Sequence, residues 1–483
     1  MELLHLEETM EELRESFRSR RTRSATWRRA QLKGLLRMLE EKEEEIFKTL
    51  KEDIGKHSAE AFRDEIGTLT KSLNLALSCL EDWMASKKVH VPVIAFPTSG
   101  EIVPEPLGVV LIFSTWNFPI GLALEPLIGA IAAGNVAVVK PSELAPACSS
   151  FLAKHIPMYL DNKAVKIIEG GVSTAERLLE EKWDKIFFTG SAQVAHVVMS
   201  AAAKHLTPVT LELGGKCPAI FDYLSSLRDR EVAIRRLVNG KWGLCNGQAC
   251  IGIDYLLVEE KHASKVIDLL KNRIKNFYGD SPQETNSISR IINKNHFMRL
   301  KNLIEDPTVK ASIVHGGALD EDNLFIEPTI LLDPPLKSQI MTTEIFGPFL
   351  PVITLTKIED SIEFIRSRPQ PLAIYTFTKD ETFKKRIISE TSSGSVTFND
   401  AIIQFACDTL PFGGVGQSGF GKYHGKFSFD EFSHGKAVLR RSFITELSFG
   451  YPPWSDYKIR FLRAAYNFDY IALFLLLIGL KRK

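Results

Sequence analysis

Cysteine is scarce in this chain: six residues among 483, at Cys79, Cys148, Cys217, Cys245, Cys250 and Cys407. So few in so long a sequence do not make a disulfide framework. None forms a C-x-x-C pair, which argues against structural zinc and thioredoxin-type redox chemistry. No metal site is expected, and a reducing compartment is the default. An excess of one charge is also missing, since 60 basic and 59 acidic side chains leave a net charge of +1. Nucleic-acid binders concentrate a basic face, so nucleic acid is not an expected partner. Small molecules or other protein remain. The start, MELLHLEETMEELRES, has no apolar core and carries Glu2, Glu7, Glu8, Glu11 and Glu12. It reads as neither a secretory signal nor an acid-poor transit peptide, so a cytoplasmic location is expected.

Long apolar runs are lacking too, with one exception near the end. Residues 470–480 (YIALFLLLIGL) are eleven apolar residues, followed by Lys481, Arg482 and Lys483. A spanning helix needs about 20 residues for a hydrocarbon core of about 30 Å. Extending the run backwards meets Asp469, Asn467 and Arg463, each costly in a bilayer. Two readings stand: a helix docked on protein, or a tail touching a membrane with its basic residues at the headgroups.

What is present is an ordinary globular balance, with 45% hydrophobic and 25% charged residues. The length fits two or three domains. Residues 1–85 read as helical: Leu32, Leu35, Leu36 and Leu39 form one apolar stripe, and the charge run at 40–45 a solvated face. At 89–108 apolar residues alternate between prolines, the pattern of edge strands. Short β-branched runs at 109–113, 136–140, 165–168 and 185–188 then alternate with helix-length segments at 120–133, 145–160 and 173–182. A second series has strands near 254–258, 325–331, 349–356, 373–377 and 395–398. Its helices fall near 230–242, 261–278, 359–366 and 380–391. Such alternation predicts parallel sheets covered on both faces, with ligands beyond the carboxyl ends of the strands.

Several residues at those ends carry chemistry. Cys250 lies in CNGQACIG, between Gly247 and Gly252. It is a thiolate nucleophile if nearby dipoles stabilise the anion, and otherwise a small buried hydrophobe. Glu212 closes the run PVTLELGG and is either a satisfied carboxylate or a general base. Asn117, in STWNFPIG, can donate to an oxyanion or simply shape a turn. Gly190 and Ser191, in FFTGSAQVA, follow a strand and open a helix, a seat for phosphate. There is no G-x-G-x-x-G, so this signal is weak by itself. Lys140 and Glu143, in KPSE, suit ribose hydroxyls or a helix cap.

Taken in order, WNFP, KPSE, FFTGS, TLELGGK, GQAC, EIFGP (344–348) and LPFGGVGQSGFGKYHGKFSFDEFSH (410–434) resemble the aldehyde dehydrogenase superfamily over roughly residues 10–440. The YHGKFSF element is similar to class 3 members, the group with the fatty aldehyde dehydrogenases. The resemblance implies an α/β aldehyde dehydrogenase-like fold: a Rossmann-type cofactor domain, an α/β catalytic domain and small oligomerisation strands. In these terms 1–85 and 106–211 bind the dinucleotide, 212–400 are catalytic, 86–105 and 401–440 bridge subunits, and 441–483 form the tail.

The same resemblance implies Cys250 as nucleophile, Glu212 as general base, and Asn117 with the Cys250 backbone N–H as oxyanion hole. Lys140 and Glu143 would hold the adenosine ribose, Gly190 and Ser191 the pyrophosphate, and Glu344 and Phe346 the nicotinamide ribose and ring. NAD or NADP is the expected cofactor, and a homodimer joined near 89–104 and 425–440 the expected assembly. The sequence departs from the family at Ala195, where a second glycine is usual, at Ala249, usually threonine, and at Gly252 and Ile253, usually Ala-Pro. These bear on cofactor affinity and rate. Trp116, Phe405 and Phe412 predict an apolar entrance for medium- or long-chain aliphatic or aromatic aldehydes.

Overall fold

The computed structural model describes residues 3–92, 95, 98–443, 446 and 448–478. The N-terminal stretch forms the helices Leu3–Arg18, Ala25–Glu41, Glu43–Ile54 and Gly67–Met84. In the second of these Leu32, Leu35 and Leu39 are buried, while Leu36 is half-buried, as an i, i+3, i+7 stripe requires. Before the last helix, Ser58–Ala61 runs into a π-helical turn at Phe62–Ile66.

The first series of β-branched runs assembles one six-stranded sheet. Its order is Gly419–Phe420, Val209–Glu212, Lys185–Thr189, Val109–Phe113, Val136–Lys140, Val165–Ile167. All neighbours are parallel except the short Gly419–Phe420 strand. Val109–Phe113, Val136–Lys140 and Lys185–Thr189 are buried throughout, which explains their continuous apolar patterns. From Val109–Phe113 the chain winds outward in one direction, then returns to Lys185–Thr189 on the other side. The switch point therefore lies between these two strands, the position at which open α/β sheets hold ligands.

A second, seven-stranded sheet has the order Ile313–His315, Thr329–Leu332, Phe349–Leu355, Tyr255–Glu259, Pro218–Phe221, Ala373–Phe377, Ser395–Phe398. The run at 325–331 is two strands, not one. Phe325–Ile326 pairs with Leu319–Asp320, and Thr329–Leu332 joins the large sheet. Pro328 separates them, because it has no N–H to give to a ladder. Pro218–Phe221 and the helix Lys294–Glu305 were not anticipated. The strand has only four residues, too few for a pattern to register. The helix is announced by Asn293, whose side chain accepts from the His296 N–H.

Both large sheets belong to one compact unit, Met1–Leu80 with Pro106–Phe432. The second unit is Glu81–Glu105 with Ser433–Lys483. In it Lys87–Val89, Thr98–Pro106 and Ser433–Arg441 make a three-stranded sheet. Near its end Asp456–Tyr466 packs on Tyr470–Leu477 through Phe461, Ala464, Ala465, Ala472, Leu473 and Leu476. Tyr470, Ile471, Phe474, Leu477 and Ile478 stay exposed. No helix among the described residues is long and apolar enough to cross a membrane. The basic Lys481, Arg482 and Lys483 lie outside the described residues.

Candidate active site

Two cavities meet at one wall. One, of about 220 Å³, is lined mainly by apolar side chains including Phe118, Leu244, Ile402, Phe405 and Phe412. The other, of about 560 Å³, is lined by Asn117, Gly190, Ser191, Glu344 and Phe346 among others. Leu122, Thr189, Glu212 and Cys250 line both.

Cys250 owes its position to an unusual approach of the backbone. Cys245, Asn246 and Gly247 are left-handed, with φ of 50°, 51° and 79°. A Cβ on Gly247 would lie 2.3 Å from the Gly347 carbonyl, so only glycine lets this loop sit against the 344–348 loop. Gln248 staples the turn: its amide donates to the carbonyls of Cys245 (3.1 Å) and Arg290 (2.8 Å) and accepts from Ile292 N (3.2 Å). The Cys250 side chain is half-buried. Burial, with Glu344 and Glu212 nearby, pushes its thiol up to about 12, while its own N–H and that of Ile251 pull the other way.

Glu212 ends its strand at the switch side of the six-stranded sheet, its carbonyl accepting from Gly190 N at 3.0 Å. The side chain is 3% exposed, and neither carboxylate oxygen has a protein hydrogen-bond partner. Burial first, and the charge of Glu431 second, hold it well above the ordinary carboxylate range. Asn117 follows the strand Val109–Phe113. Its Nδ2 donates to the Gln248 carbonyl at 3.0 Å, which ties it to the cysteine loop, while its Oδ1 is buried and unpartnered.

The remaining positions divide. Gly190 and Ser191 reach the larger cavity, with Ser191 capping the helix Ala192–Ala203. Glu344 does too, its Oε1 accepting from Gly215 N at 3.0 Å. Burial pushes this carboxyl up to about 8, against the pull of the Gly215 N–H. Phe346 lines the same cavity in a left-handed conformation (φ 47°), edge-on to Trp116 at 5.3 Å. Lys140 and Glu143 pair at 2.5 Å but line neither cavity. Among the described residues no group of three His, Cys, Asp or Glu could hold a metal ion.

A cysteine and a buried carboxylate on a shared wall, with an amide tied to the cysteine loop, suit acyl chemistry on a carbonyl. The aldehyde dehydrogenase family model matches residues 4–438. The chain belongs to the aldehyde dehydrogenase family. Aldehyde dehydrogenase family 3 member F1 of Arabidopsis thaliana is 54% identical over 477 residues, 99% of either chain. Family 3 member A2 of Rattus norvegicus is 42% identical, over 98% of this chain and 97% of that one. The substrate-bound state of Staphylococcus aureus AldH superposes with a TM-score of 0.92 at 39% identity, covering 96% and 100% of the two chains. GapN from Methanocaldococcus jannaschii, a glyceraldehyde-3-phosphate dehydrogenase solved with NADP, gives 0.79 at 26% identity over 90% and 93%. The chain is thus a family 3 aldehyde dehydrogenase, which oxidises aldehydes with NAD or NADP.

Within this aldehyde dehydrogenase two sequence expectations shift. Trp116 turns to the larger cavity beside Phe346 and His296, leaving Phe405 and Phe412 on the apolar one. Ala195 is 2% exposed, within the buried cluster that also holds Phe188, Val198 and Leu211, and it lines neither cavity. Sequence reasoning also missed Thr189, whose buried hydroxyl is unpartnered on the wall common to both cavities. It missed Arg299, which donates to the carbonyls of Ile345 (2.8 Å) and Phe346 (3.3 Å) and so fixes the Glu344 loop. Only the cap at Asn293 could have pointed to that helix.

Proposed function

We propose that this aldehyde dehydrogenase oxidises medium- or long-chain aliphatic or aromatic aldehydes through a thioester on Cys250, in aldehyde detoxification. The observation that carries the reading is the wall shared by the two cavities, which lets a hydrocarbon approach Cys250 from one side and a dinucleotide from the other. The larger cavity suits a dinucleotide. It lies at the switch point, with Gly190 and Ser191 opening a helix and the Thr189 hydroxyl unpartnered. Gly190 and Ser191 would hold the pyrophosphate, Glu344 the nicotinamide ribose, and Phe346 the ring. Lys140 and Glu143 would take the adenosine ribose. Glu143, paired with Lys140, opposes a 2′-phosphate, but its 40% exposure leaves room for it to swing aside, which supports use of either cofactor.

Attack of the Cys250 thiolate on the carbonyl carbon breaks the C=O π bond and makes a thiohemiacetal. The Asn117 amide and the Cys250 N–H stabilise its oxyanion, and losing one such donor typically costs about 3–4 kcal/mol. The bound cofactor supplies the hydride acceptor for the step to the thioester. Glu212 then takes a proton from water, whose oxygen attacks the thioester carbonyl. The carboxylic acid leaves and Cys250 returns as thiolate.

We infer a homodimer, supported by the edge strand Ser433–Arg441, on which Leu439 is 68% exposed. The location we infer is cytoplasmic, with the apolar tail at a membrane surface. The test of the substrate reading is kcat/KM from acetaldehyde to a long-chain fatty aldehyde, with NAD and with NADP. The expected rise is up to about fourfold per methylene while the chain enters the apolar cavity. A flat series would overturn it.

A further inference from the structure

A lysine–glutamate pair lies wholly inside the protein beneath the site, lining neither cavity. Lys56 Nζ and Glu65 Oε1 are 2.6 Å apart and both side chains are 0% exposed. Burying two charges is expensive and is often no gain over apolar packing, so stability alone does not account for the pair. Its hydrogen bonds do. Lys56 Nζ donates to the Asn117 carbonyl at 2.8 Å and sits 4.0 Å over the Phe118 ring. Glu65 Oε2 accepts from the N–H groups of Ile120 (2.9 Å) and Gly121 (3.0 Å). The pair thus grips the Asn117 loop from both ends. Glu65 reaches there from the π-helical turn, a geometry that recurs at functional positions. On the same segment Glu60 accepts from Cys245 N at 2.7 Å and from the Ser289 hydroxyl at 2.9 Å, holding the start of the cysteine loop.

We propose that Lys56 and Glu65 are positioning residues that fix the Asn117 amide against the nucleophile loop, and so set the oxyanion hole. This rests on the reading of Asn117 as an oxyanion donor. The pair touches no reacting atom and acts through the backbone of residues 117–121.

The experiment is a cycle in the full-length enzyme. One arm is the neutral pair Lys56→Met with Glu65→Gln, the second Asn117→Ala, the third both together, each measured for kcat/KM with aldehyde, KM for the dinucleotide, and Tm. The neutral pair is expected to fold with Tm near the parent's. Its kcat/KM should fall by up to about 100-fold, the scale of a small misplacement, with KM for the dinucleotide unchanged. In the Asn117→Ala background the same change should cost nothing further, since the group it positions is gone. Should the neutral pair lower Tm, Glu65→Asp keeps the charge, shortens the reach to Ile120 and Gly121, and carries the same cycle. Full activity in a folded pair variant, or losses that multiply, would overturn the proposal while leaving Asn117 its role. An Asn117→Ala enzyme with unchanged kcat/KM would remove that role, and the proposal with it.

Discussion

Glu212 sits where a carboxylate is least comfortable, buried, with no protein partner for either oxygen and Glu431 close by. That discomfort has a thermodynamic trace. Its folded carboxyl holds its proton above the ordinary range, so the stability it contributes is complete below about pH 4.5 and is lost as pH rises through the raised value. Glu212→Gln removes that loss. The expected result is a variant whose Tm matches the parent's in acid and exceeds it increasingly toward pH 8. The same variant should keep a first burst of reduced cofactor while steady turnover falls by about 10²–10⁴. Equal steady rates would take the glutamate out of hydrolysis. The identity of this residue was readable from its motif, but its lack of partners was not, because hydrogen bonds depend on what arrives from elsewhere in the chain.

At the scale of elements, the site is made by two loops pressed together, 213–217 and 344–348. Gly214 lets them close: a Cβ there would lie 2.1 Å from Glu344 Oε2. The obstacle is the end of a side chain, so Gly214→Ala should displace the Glu344 carboxylate rather than unfold the enzyme. The bond from Gly215 N to Oε1 would go with it. KM for the dinucleotide is expected to rise about tenfold with little change in Tm, the worth of about one hydrogen bond. An unaltered KM would mean Glu344 does not hold the cofactor. Strands and helices of the parallel series were legible because they are buried on both faces and repeat at helix length. Pro218–Phe221 was not, since tertiary packing rather than local pattern decides so short a strand, and Lys294–Glu305 offered only its Asn293 cap. Lys56 and Glu65 were hidden for a related reason. Nothing in their local sequence marks them, and the contact with 117–121 that gives them a role exists only in the folded chain.

For the molecule as a whole, the open question is what meets the exposed side of the terminal helix pair. Ile471, Phe474, Leu477 and Ile478 present a continuous apolar edge, with three basic residues following in the sequence. Such a tail partitions into headgroups when apolar burial and charge act together. The full chain is expected to sediment with vesicles of phosphatidylcholine and phosphatidylserine, less so as salt rises. A chain ending at residue 455 should stay in solution. If both remain in the supernatant, the edge belongs to a protein contact instead.

The sequence by itself determined the family and the alternation that builds two parallel sheets, and it named the candidate site residues. These follow from local order: motif residues and periodic apolar positions are properties of short stretches. Only the tertiary structure decided that Cys250 and Glu212 share a wall between two cavities, that Trp116 faces one and Phe412 the other, and that a buried ion pair underlies Asn117. Those facts join residues up to about 300 positions apart, and their energies come from desolvation and contact, which exist only once the chain has closed on itself.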